Sequence, residues 1–224
     1  MASKMVGDRL TSSGQVRIAG AQHGPLIQTS CDKLYCEGAG SKVVDVLGIA
    51  IGAMEKDKEL ILELDLKIQL ERQESLQATA HRDRCTEDCR KTLIPLRNTV
   101  TSVFGEAYAS SLGFVGPTPD QPMSTYVTCK QILENVRTVV APAPLLAGMN
   151  VVPVAIVEGL AAPTENLRLA IDNAVREQGE SKALQLEKDA AIVAFDRSFS
   201  VAANLLSTFL ELAGKRELAR KVRP

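Results

Sequence analysis

Leu60-Ile61-Leu62-Glu63-Leu64-Asp65-Leu66-Lys67-Ile68-Gln69-Leu70 decides the fold of this chain. Its apolar residues alternate with polar ones, which is the period of a half-buried strand. The residue types argue the other way. Leu, Glu, Lys and Gln are helix formers, and the only β-branched residues in the stretch are two isoleucines. We read it as helix, with apolar residues on two faces, as expected of a helix held between others in a bundle.

The surroundings support that choice. From Ala53 to Ile94 there is neither Gly nor Pro. Glu63/Lys67 and Glu87/Lys91 are i,i+4 pairs in the favourable order. Upstream, Ser41 is placed to N-cap a helix beginning at Lys42 or Val43. Downstream, Pro95 is expected to interrupt the helix. The stripe then resumes as Leu93, Leu96, Val100, Val103 and Ala107, and ends at Gly105 and Gly113. One helix from 43 to 112 would be about 105 Å long at 1.5 Å per residue, so either long helices or a hairpin turning within Gln73 to Arg90 is implied. We favour long helices.

The N-terminal 40 residues are Gly-rich, with short apolar pieces (Val16, Ile18; Leu26, Ile27; Leu34, Tyr35) between turn residues. They are expected to form an irregular arm, 1–40, ahead of a single helical-bundle domain, 41–224. The segment Phe114 to Pro122 carries three prolines and reads as a loop, followed by a helix from about Met123 to Val140. No residue from 138 to 157 is charged, and Pro142, Pro144 and Pro153 lie in that stretch. It reads as an apolar connector, extended from Val151 to Val157. Pro163 suits the first turn of a last helix, which runs to about Ala213 and stops at Gly214. Gly179 is placed to kink or divide it. Ile192, Phe195, Phe199, Ala202, Leu206, Phe209 and Ala213 alternate spacings of three and four, a heptad seam; Leu167, Ile171 and Ala174 continue it upstream. Phe199→Asp is expected to unfold the bundle.

Composition agrees. The chain has 224 residues with 45% hydrophobic and 24% charged, which excludes a disordered or collagen-like chain. Five Phe, three Tyr and no Trp, with abundant Ala and Leu, favour helices. The fold class is all-α: an elongated antiparallel bundle of long helices. The net charge of −1 gives no global reason to expect nucleic acid. The cations Lys215, Arg216, Arg220, Lys221 and Arg223 are read as complementing a helix C-terminus. Met1 to Leu10 has no apolar h-region, so no secretory signal is expected; no run of 18 apolar residues suits a membrane span, and the five cysteines are expected to be reduced in a cytoplasmic protein.

Several residues are of types that carry chemistry. His81, Cys85 and Cys89 share one helical face at i, i+4, i+8, a zinc-like donor set without a fourth ligand. Cys89 also lies on the apolar seam, so we read these as core or surface thiols. Cys31 and Cys36 lack zinc-knuckle spacing. Gly38-Ala39-Gly40-Ser41-Lys42 lacks the order of a phosphate-binding loop and is read as a turn with an N-cap. His23 and His81 have no nucleophile context. We therefore assign no catalytic, cofactor or metal residue, and expect no cofactor.

Residues 34–116 resemble a group of uncharacterised bacterial helical-bundle proteins. The residues that carry the likeness are Gly40-Ser41 opening a helix at Val43–Leu47, the breaker-free stretch, Leu96 and Val100, Val103-Phe104-Gly105, and Leu112-Gly113-Phe114 before Pro117 and Pro119. The resemblance implies a helical bundle and brings no activity. The expected role is a non-enzymatic structural or interaction protein that self-associates, or pairs with another helical protein, through its seams. The alternative is a membrane-active protein, with the layout of α-helical pore-forming toxins, that inserts its apolar segment 138–157.

Overall fold

The computed structural model describes residues 4–145 and 152–223. Among them every regular element is helical: α1 (Lys4–Leu34), α2 (Ala39–Phe104), α3 (Glu106–Leu112), α4 (Pro122–Thr138), α5 (Pro153–Val157), α6 (Ala161–Leu212) and α7 (Arg216–Val222), with a 3₁₀ turn at Glu158–Leu160 before α6. The protein is an all-α helical bundle, and Leu60–Leu70 is helix. Its alternation resolves into one buried face, Ile61, Leu64, Asp65 and Ile68, and outward leucines, Leu60, Leu66 and Leu70.

Tertiary contacts divide the chain into two units, Met1–Leu70 with Lys182–Pro224, and Glu71–Ser181. The expected partition at residue 40 falls inside the first of these. The expected irregular arm is wrong: Lys4–Leu34 is one helix, with Pro25 inside it. The reason lies in its buried face. Val6, Ser13, Val16, Ile27 and Cys31 are all under 4% exposed, and Gly20 and Gly24 are buried on the same stripe. Small residues stand where a seam usually carries large ones. They are buried helix positions, not turn signals.

In the first unit, α1 turns into α2 through Gly38, whose φ of 83° suits glycine. Ser41 is not the cap; its Oγ donates to the Gly38 carbonyl at 2.9 Å. The Asp32 carboxylate, from α1, accepts from the Gly40 N–H at 2.8 Å and satisfies one of the free amides at the start of α2. The backbones are close here: a Cβ at Gly40 would lie 2.1 Å from the Gln28 carbonyl oxygen. The α6 seam is buried as expected, with Phe195 at 1% and Ala202 and Leu206 at 0%. Phe199 and Phe209 are half-buried; Phe199 stacks on Phe195 with centroids 6.0 Å apart. Lys188 of α6 and Asp65 of α2 form a buried ion pair, and Gln69 Nε2 also donates to Asp65, at 3.3 Å. At the surface Arg9 clamps Asp196 with two hydrogen bonds of 2.9 and 2.7 Å, which raises the Arg9 pKa. Past Gly214 (φ 75°) the basic tail forms α7, and Ser207 Oγ donates to the Ala219 carbonyl at 3.1 Å.

In the second unit, Pro95 does not interrupt α2; the helix continues to Phe104. A proline inside a helix costs about 3 kcal/mol, and the burial of Leu93 (2% exposed) and Val100 (0%) on either side of it offsets that cost. Likewise Gly179 does not divide α6, which runs unbroken from Ala161 to Leu212. The ends at Gly105 and Gly113 are as read, with φ of 89° and 113°. Asn135 Nδ2 donates to the Leu112 carbonyl at 3.1 Å and so ties α4 to the end of α3. The run expected to be extended is helical over Pro153–Val157; Val151 lies outside the described residues, as does the middle of the apolar connector. Val157 and Leu160 are fully buried against α2, α4 and α6 residues of this unit.

Candidate functional site

The second unit holds two clusters of groups with chemical potential. The first lies in an open pocket where α2 supplies Glu74, Gln77, Ala78, His81 and Arg84, and α6 supplies Asn173, Arg176 and Glu177. Carboxylate oxygens of Glu71, Glu74 and Glu177 all lie within 4.8 Å of one another. Glu71 and Glu74 are one helical turn apart, as are Glu177 and Glu180, so each helix turns a pair of acids toward the other. Glu71 Oε1 is shielded from solvent and has no hydrogen-bond partner among the described residues. Burial, then the charges of Glu177, Glu180 and Glu74, push the Glu71 pKa above its ordinary value. Arg176 offsets part of this charge, donating to Glu177 at 2.9 Å and reaching Glu180 at 3.7 Å. Three carboxylates are the oxygen donors that hard divalent cations take, but such ions want six or more ligands. Sequence reasoning missed this group. Its signal is two acid pairs at i,i+3 on separate helices, which means nothing until the register of α2 on α6 is known.

The second cluster is thiol. The structure divides the His81, Cys85, Cys89 set. His81 is exposed, with Cys85 Sγ 3.8 Å from its Nε2. Cys89, fully buried, lies instead in the core with Cys129 of α4. Its interaction with the Cys129 thiol, followed by burial, raises the Cys89 pKa; on Cys129 the same interaction lowers the pKa despite burial, with Thr164 adding to it. Burial raises the Cys85 thiol, with Asp88 adding to it. Thr164 Oγ1 itself donates to the Leu160 carbonyl at 2.7 Å. Cys89 and Cys129 are therefore core thiols that pair α2 with α4, packed among Leu93, Ile132 and Leu167.

The remaining sequence candidates lie apart. In the first unit, Cys31 is buried and Cys36 exposed. Gly38–Lys42 is the turn and first residues of α2. His23 is half-buried on α1. The five tail cations lie at or within α7, with Arg220 3.5 Å from Glu217. No helix among the described residues is long and apolar enough to cross a membrane. No family model matches the chain, and neither a curated protein nor a solved structure matches it.

Proposed function

We propose that the protein is a non-enzymatic structural or interaction protein that works by self-association through its helix faces. One observation carries this reading. Beyond the core seams, α2 and α6 of the first unit turn a second set of large apolar residues to solvent, Val46 (49% exposed) and Leu60 (42%) on α2 and Leu186 (70%), Val193 (70%) and Val201 (48%) on α6. Single exposed apolar residues are ordinary, but a succession of them along two helices marks a surface made to be covered. The five free cysteines suit a reducing cytoplasm, which we place with this reading. The likeness of residues 34–116 to bacterial helical-bundle proteins belongs with it and adds no activity.

Light scattering on the purified chain during size-exclusion chromatography tests it. The expected mass is a multiple of 24.1 kDa that grows with concentration. A mass of 24.1 kDa at every concentration would remove the reading. Membrane activity through 138–157 is a second reading, favoured by the exposure of Val140 (90%) and Leu145 (67%) at the edge of that segment. Dye release from liposomes separates the two, since a scaffold releases none.

A further inference from the structure

Resting on the self-association reading, we infer that the groove between α2 and α6 in the first unit is a two-fold interface, occupied by the same groove of a second copy of this chain. Each helix carries an outer seam there. On α2 it is Val46, Ala50, Ala53, Asp57 and Leu60; on α6 it is Leu186, Ala190, Val193, Arg197 and Val201. The groove itself is lined by Ala50, Ala53, Ala190 and Ala194, with Val193 and Val201 at its edge, so backbones can approach closely over it. Heptad spacing beside an already buried core seam is what a helix needs to serve two interfaces.

Each outer seam has one charged position, and the two charges are opposite. Asp57 and Arg197 both line this groove. They are also level. Lys188 meets Asp65, the helices run antiparallel, and roughly two turns on from that pair each helix arrives at Asp57 or Arg197. A two-fold axis parallel to the helices lays α2 of one copy over α6 of the other. Asp57 of each copy then faces Arg197 of the other, twice per dimer, and Leu60 meets Val193. This face is self-complementary in charge, which the α2–α6 surface needs to bind itself instead of repelling itself. A lone polar position in an apolar seam also sets register, so the same two residues fix how the copies align.

The test uses the full chain with Asp57→Arg and Arg197→Asp, both changes at residues lining the groove, checked for fold by circular dichroism and melting. Sedimentation velocity should give a wild-type dimer. Each single variant, with two like-charge contacts per dimer, should dissociate about tenfold or more readily. An equimolar mixture of the two variants should restore the dimer, because the mixed species has both contacts opposite in sign. The double variant D57R/R197D should dimerise like the wild type. A wild type that associates, with single variants that associate equally well, overturns this face and leaves the self-association reading standing. Weakened variants that mixing does not rescue overturn the paired geometry. A monomeric wild type overturns both, and leaves the groove to a helix of another protein or to lipid.

Discussion

Helices α1 and α6 bury their faces in the same core of the first unit, yet with opposite materials. On α6 the buried face is anchored by large side chains, Phe195, Leu206 and Leu210, each at most 1% exposed, with Ala202 and Ala203 between them. On α1 it alternates Val6, Val16 and Ile27 with Ser13, Gly20 and Gly24. A large-residue face holds its partner by burying area, at about 25 cal/mol per Å². A small-residue face holds it by letting backbones come close, and gives up side-chain area to do so. The same core therefore tolerates opposite errors on its two sides. On α6 the damaging change removes atoms; where the start of α2 meets α1, at Gly40 against Gln28, it adds them.

The sharpest way to break that contrast is Phe195→Ala. Deleting a fully buried phenylalanine costs about 3–5 kcal/mol, and urea unfolding of the variant should show it. Phe199→Ala, at a half-buried ring, should cost clearly less. Next comes the polar position of the α6 face. Lys188→Met removes the cation beside Asp65 and should destabilise by about 3 kcal/mol, while Asp65→Leu with Lys188→Met should recover most of it. If the single change is harmless, the buried pair has no structural role. On the small-residue side, Gly40→Ala adds one methyl against the Gln28 backbone, which cannot rotate away. A loss of about 2 kcal/mol in thermal unfolding is expected, where Gly→Ala in an open helix would stabilise. Asp32→Ala, which removes the cap on α2, should lower stability by about 1 kcal/mol. Gly20→Ala should be the mildest. Its Cβ would meet only the Ile51 Cδ1 atom, 2.6 Å away, a side-chain tip that can swing aside. A Gly20→Ala variant as damaged as Gly40→Ala would show that closeness alone, not backbone closeness, sets the cost.

The contrast also explains what could be read from the sequence. The α6 seam was legible because its periodic residues are bulky, and hydrophobic periodicity sees bulk. The helical nature of Leu60–Leu70 was legible from residue type, although its alternation pointed to a strand. Helix α1 was not legible, because Ser13, Gly20 and Gly24 occupy core positions and read as punctuation. Counting them as apolar gives Ser13, Val16, Gly20, Gly24, Ile27 and Cys31 at helical spacing. Pro95 failed as a breaker because packing on both sides outweighed its local cost. The sites divide in the same way. The neighbours His81 and Cys85 follow from i,i+4 spacing within one helix. Cys89 with Cys129, and Glu71 with Glu177, join residues far apart in the chain, and no periodicity along one helix encodes them.

The buried Asp65–Lys188 pair has one more consequence. A heptad seam is nearly indifferent to sliding by seven residues, since apolar side chains then meet apolar side chains again. A slip of α6 by one heptad in either direction would set Lys188 level with Lys58 or Arg72 instead of Asp65. Both are cations. During folding, the two nearest misaligned bundles would each confront a cation with a cation in place of the native pair. The pair thus acts as an alignment check, rejecting near-native errors that hydrophobic burial alone would accept.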